Sequence, residues 1–148
     1  MKHWLPVLVL LVGLGSSFSF AQNGIVDCIE QKMLTVSRIR GQVFDATGVP
    51  VPGSLVSVSS ETRPEMQFKT DATGQFNIKV TPGRYMLKAS YPGFEVTRAE
   101  LDVGPDIWSL LHPTALRVIL SVGSMSCPWV TASHKEFNEL VHKHATHK

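Results

Sequence analysis

The sequence has no large excess of charge. Its 148 residues carry 14 Lys and Arg against 12 Asp and Glu, too even a balance to predict binding to nucleic acid or to an anionic membrane surface. Long apolar runs are missing after the first residues. Leu5–Leu14 is apolar but much shorter than the roughly 20 residues a spanning helix needs. Lys2 precedes that run and Ser19-Phe20-Ala21 follows it as a small-x-small site. Residues 1–21 therefore read as a secretory signal peptide cut after Ala21. The expected product is exported, periplasmic or extracellular, with no stable membrane insertion after cleavage. Its 127 residues suit one ordinary domain.

Cysteine is scarce. Cys28 and Cys127 are the only two. In an oxidising compartment an even count favours a Cys28–Cys127 disulfide, and two free thiols are the alternative. In the chain-entropy model, a bridge closing a loop of about 100 residues contributes on the order of 4–5 kcal/mol, less any strain. Asp27 stands where a lipid-attachment cysteine wants a small residue before it.

Catalytic punctuation is also missing. There is no Gly-x-Ser-x-Gly elbow and no His-Glu-x-x-His pair. The one His-x-His is His142-Lys143-His144, near the carboxyl end. His142 and His144 are candidate metal ligands, because neighbouring neutral imidazoles suit zinc, copper or nickel. The simpler reading is a pair of solvated histidines. Tyr85 and Tyr91 resemble the tyrosine pair of iron dioxygenases only in number, since both fall on the inward parity of one strand. The expectation is no cofactor and no enzymatic activity.

What the chain does have is alternation. Ile39, Gly41 and Val43 alternate with polar neighbours, as do Val56 and Val58. Met66, Phe68 and Thr70 follow, then Phe76, Ile78 and Val80, then Tyr85, Leu87, Ala89 and Tyr91. Phe94 and Val96 open a run that Leu101 and Val103 finish on the opposite parity, which predicts a bulge near Arg98–Glu100. Leu116, Val118, Leu120 and Val122 make a last run. Period two with one apolar face predicts strands. Seven of them with frequent turns predict an all-β, seven-stranded antiparallel sandwich.

The string Asp-Ala-Thr-Gly occurs at Asp45–Gly48 and again at Asp71–Gly74, each time between two alternating runs. Asp accepts a hydrogen bond from backbone two residues on, and Gly supplies the left-handed residue that closes such a turn. A calcium loop would need further oxygen ligands at alternate positions, and the residues after Gly48 and Gly74 offer no carboxylate. Both strings read as hairpin turns. The segment Gly104–Pro113 is the longest connection and unusually apolar. Its Ile107, Trp108, Leu110 and Leu111 are expected to cover one open end of the sandwich, and Trp108 is the candidate ligand-binding residue. Ser133-His134-Lys135-Glu136 reads as a capping box before a short amphipathic helix over about His134–His144.

Between Arg40 and Val103 the chain resembles the carboxypeptidase regulatory-like domain. The resemblance rests on GQVFDATGVPVPGSLVSV and KTDATGQFNIKVTPGRYMLKASYPGF, where Gly41, Val43, Gly48, Ser54, Thr70, Asp71, Gly74, Phe76, Pro82, Gly83, Tyr85, Gly93 and Phe94 fall on the family pattern. Ser54 stands where alanine is commoner. The resemblance implies a transthyretin-like, Greek-key sandwich over residues 38–122. An extension at 22–37 precedes it, and a segment at 123–148 carries the helix. It also implies a non-catalytic module for binding or scaffolding, with a protein or glycan partner in the cell envelope or outside the cell. A carbohydrate-binding module proper is the alternative within that class. A small metal-dependent enzyme on a related sandwich is the rival from another class. The matched residues are turns and core positions, so no binding residue is carried over.

Overall fold

The computed structural model describes residues 33–105, 115–123 and 128–145. Among these residues two β-sheets pack face to face, and one helix follows the last strand. The strands are β1 (Leu34–Val36), β2 (Ile39–Asp45), β3 (Leu55–Ser60), β4 (Arg63–Lys69), β5 (Gln75–Ile78), β6 (Gly83–Ser90), β7 (Thr97–Val103), β8 (Leu116–Leu120) and β9 (Trp129–Thr131), followed by α1 (His134–Ala145). One sheet has the order β1-β7-β6-β3-β4 and the other β5-β2-β8-β9.

The alternating residues build the core as their period requires. Val56, Val58, Leu87, Ala89, Ala99 and Leu101 of the five-stranded sheet meet Ile39, Val43, Phe76, Ile78, Leu116, Val118 and Leu120 of the other. Removing each larger side chain from water contributes about 1.5–3 kcal/mol. Tyr85 joins this core and still satisfies its hydroxyl, which donates to the Thr81 carbonyl at 2.9 Å.

Several expectations need correction. There are nine strands among the described residues, not seven. β1 and β9 have three residues each, too short for alternation to declare them. The sheets are mixed rather than purely antiparallel. β1 runs parallel to β7, and β2 runs parallel to β8, because connections that cross between the sheets bring these strands in with the same direction.

The bulge expected near Arg98–Glu100 does not form. β6 and β7 keep an unbroken register from Gly83 opposite Val103 to Ala89 opposite Thr97. Phe94 and Val96 precede the strand, and the inward face starts with Thr97, which is 1% exposed. A threonine can stand there because its hydroxyl donates to the Ile119 carbonyl at 3.0 Å across the sandwich. The register shift lies instead between Val58 and Ser60, on β3 against β4.

Four residues expected inside are not. Phe68 is 37% exposed on the edge strand β4, Tyr91 is 36% exposed beyond the end of β6, Val96 is 38% exposed just before β7, and Val122 is 61% exposed beyond β8.

The helix forms where the capping residues predicted it. The Glu136 N–H donates to Ser133 Oγ at 3.3 Å. The return half of the capping box does not form, because the Glu136 carboxylate accepts from Trp129 Nε1 at 3.2 Å and from the Thr131 hydroxyl of β9. α1 lies on the outer face of the four-stranded sheet. Phe137 stacks on Phe44 with ring centroids 4.7 Å apart, beside Ile119, Leu140 and Val141. This makes a second, smaller core.

Candidate functional site

The repeated tetrapeptide folds the same way twice. Asp45 Oδ1 accepts from the Thr47 N–H at 2.9 Å, the Thr47 hydroxyl at 2.7 Å and the Val49 N–H at 2.9 Å. Asp71 Oδ1 accepts from the Thr73 N–H at 2.8 Å, the Thr73 hydroxyl at 2.7 Å and the Gln75 N–H at 2.9 Å. Gly48 and Gly74 close the turns at φ 84° and 76°. The Thr73 hydroxyl, then the backbone N–H groups of Gln75 and Thr73, hold the Asp71 carboxyl below its ordinary range. In each turn one carboxylate oxygen is committed to three local donors, which is the chemistry of a turn.

Both turns lie at one end of the sandwich. The opposite end opens into a cleft of about 470 Å³, lined by Ser37, Arg38, Asn77, Ile78, Lys79, Val80, Pro82, Val103 and Gly104. Its place follows from where strands stop. β5 ends at Ile78, β7 ends at Val103, and the chain crosses between sheets through Ser37-Arg38. The apolar wall is Ile78, Val80 and Val103. The polar groups are Ser37, Asn77 and two cations, Arg38 and Lys79.

The cleft continues onto the outer face of the four-stranded sheet. Arg40 stands opposite Asn77, and Gln42 stands opposite Gln75 on one side and Arg117 on the other. Gln42 Nε2 donates to the Thr73 carbonyl at 2.7 Å. Arg117 lies 5.7 Å from the centre of the Phe137 ring.

The five-stranded sheet carries a separate polar network on its outer face. The Ser57 hydroxyl donates to Glu65 Oε1 at 2.7 Å, and Lys88 Nζ lies 3.5 Å from the same oxygen. Ser57 first, then the Lys88 charge, hold Glu65 below its ordinary range.

Of the residues singled out from the sequence, Trp108, Cys28 and Cys127 lie outside the described residues, as do the signal segment and most of the Gly104–Pro113 loop. His142 is exposed on α1, and the side chain of His144 lies outside the described ones. Tyr85 and Tyr91 are not brought together. One is buried near the start of β6 and the other lies beyond its end, and six residues of extended chain span about 20 Å. The cleft was missed because alternation marks Ile78, Val80 and Val103 only as core positions and does not tell that the strand ends leave an opening. The one available sign was Arg40 on the outward parity of β2, with Arg38 and Lys79 just beyond β2 and β5. Among the described residues no helix is long and apolar enough to cross a membrane.

Residues 38–107 match the family model described as carboxypeptidase regulatory-like domain. Carboxypeptidase M of Mus musculus is 29% identical over 79 residues, which is 53% of this chain and 17% of that protein. The chain thus spans about a sixth of that relative's length. Among solved structures, the 5-hydroxyisourate hydrolase of Klebsiella pneumoniae is similar with a TM-score of 0.48 and 21% identity, over 65% of this chain and 97% of that one. The 3-chlorocatechol 1,2-dioxygenase of Rhodococcus opacus is similar with a TM-score of 0.36 and 14% identity, over 60% of this chain and 62% of that one. These findings correct one expectation. The similar solved structures include a hydrolase and a dioxygenase, and the expectation of no enzymatic activity is withdrawn.

Proposed function

Because residues 38–107 match the carboxypeptidase regulatory-like domain, we propose that this chain is an exported binding or scaffolding module that engages a partner through the cleft at the end of its sandwich. The carrying observation is the cleft itself. It is about 470 Å³ in volume, with an apolar wall and with Arg38, Asn77 and Lys79 at its polar side. Concave sites of that size with a few convergent polar groups are where ligands bind. The partner is a protein or a glycan of the cell envelope or its surroundings. A fold hosts many functions, so the proposal rests on the cleft and not on the sandwich alone.

The test is capture from the exported fraction on immobilised full-length chain, compared with Lys79→Glu. The expected result is a partner retained by the parent chain and lost by the variant. Equal retention by both would overturn the cleft as the site.

A further inference from the structure

Among the described residues the edge strands of the two sheets are unequal. β1 and β9 have three residues each, β5 has four and β4 has seven. A strand edge is a row of unpaired N–H and C=O groups, so β4 offers the longest row. Thr70, just after β4, fixes which groups point outward. Its N–H donates to the Ser54 carbonyl at 2.9 Å, and its carbonyl accepts from the Gly53 N–H at 3.3 Å. Backbone groups alternate sides along an antiparallel strand. Phe68 and Met66 therefore bond toward β3, as Thr70 does. Lys69, Gln67 and Glu65 direct their N–H and C=O groups away from it.

The side chains alternate between faces. Met66 and Phe68 stand opposite Val58 and Val56 on the core side, which leaves Glu65, Gln67 and Lys69 on the outer face. Natural edges are often blunted by a charge that points inward. The inward positions of this row carry Met66 and Phe68 instead, the second 37% exposed. Pro64 has no N–H to offer, so the usable row runs from Glu65 to Lys69.

We propose that β4 pairs with β4 of a second copy of this chain, antiparallel and centred on Gln67, so that two five-stranded sheets become one. A two-fold axis through such a pair sets each residue opposite one of the same face. Charge then selects the register. Centring on Glu65 sets it against its own copy. Centring on Met66 sets Arg63 against Lys69, and centring on Phe68 sets Glu65 against Asp71. Like charges directly opposite are destabilising. Centring on Gln67 sets Glu65 against Lys69 and Met66 against Phe68, each twice by symmetry. The residues that then exchange backbone hydrogen bonds are Glu65, Gln67 and Lys69, whose groups point outward. Glu65 already meets Ser57, Lys88 and Gln67 within its own chain, and Lys69 of the second copy joins that network. The backbone row and the apolar pair hold the strands together, and the charges choose their register. β4 supplies none of the residues that line the cleft, so the pairing is independent of the cleft.

The experiment is sedimentation equilibrium of the full chain at concentrations up to about 1 mM, beside Gln67→Pro and Lys69→Glu, each with its melting temperature recorded. A short strand pair is smaller than a standard interface, so a weak dimer is expected. Proline at position 67 removes an N–H that points away from β3, and Lys69 is exposed, so both variants are expected to fold. The mass of the parent chain should rise toward that of a dimer with concentration. Gln67→Pro should stay a monomer. Lys69→Glu should weaken the dimer roughly tenfold, because two opposite-charge pairs become like-charge pairs. Carbodiimide cross-linking of mixed isotope-labelled and unlabelled chain should give a Glu65–Lys69 peptide that carries both labels. Within one chain these residues are about 13 Å apart along the strand, too far for that reagent. A chain that stays monomeric at every concentration would overturn the proposal. So would a dimer that Gln67→Pro leaves intact, or a dimer without the mixed-label peptide.

Discussion

Gly48, in the turn after β2, lies against Val141 of the C-terminal helix. A β-carbon at Gly48 would stand 3.2 Å from Val141 Cγ1. The first Asp-Ala-Thr-Gly turn is thus packed against α1, while the second meets rigid backbone. A β-carbon at Gly74 would stand 3.0 Å from the Val43 carbonyl oxygen and 3.2 Å from the Val51 nitrogen.

That difference sets an order for two substitutions. Both glycines have positive φ, so alanine at either should cost about 1–2 kcal/mol from the left-handed conformation alone. Gly74→Ala should cost more than Gly48→Ala. Val141 can rotate away, whereas the Val43 carbonyl is fixed by accepting from the Val51 N–H at 2.9 Å. Urea denaturation of the two variants checks the order. Removing the neighbour with Val141→Ala should reduce the penalty at Gly48 and leave the one at Gly74 unchanged.

Gly41 is glycine for another reason. It sits in the middle of β2 opposite Leu116 of β8, and a β-carbon there would overlap the Leu116 backbone carbonyl. Gly41→Ala must push two paired strands of the four-stranded sheet apart. The expected loss is on the order of 3 kcal/mol or failure to fold. Soluble yield and the urea midpoint report it, and a variant as stable as the parent would show that β2 and β8 are not packed so closely.

Acid should loosen the second turn. The hydrogen bonds that Asp71 accepts lower its pKa in the folded chain. Stability from a depressed carboxyl is fully present above the unfolded aspartate pKa and is lost as pH falls through the folded one. Asp71→Asn should therefore melt below the parent near neutrality, and the gap should narrow in the acid range below the ordinary aspartate pKa. Melting curves across that range decide it, and a constant gap would mean that Asp71 is not ionised in its turn.

Cys28 and Cys127 should be paired when the chain folds in an oxidising compartment. Thiol labelling of unfolded, unreduced protein should find no free thiol. Two labelled thiols per chain would show the bridge absent.

The two Asp-Ala-Thr-Gly turns were legible in the sequence because their chemistry is local. Asp45 bonds Thr47 and Val49, and Asp71 bonds Thr73 and Gln75, all within four residues. The sandwich and most of its core were legible because one side of a strand must be apolar when two sheets pack together. The helix was legible from its cap and its spacing. What depends on distant neighbours was not. Thr97 faces inward because Ile119, far along the chain, accepts its proton. Phe68 stays partly exposed because, among the described residues, no strand lies beyond β4. β2 runs parallel to β8 only because the crossing connections bring them in that way. The candidate site belongs to this second class. The overall charge balance singles out no cation, yet Arg38 and Lys79 line one cleft. Composition counts charges over the whole chain, whereas strand pairing alone decides which of them share a face.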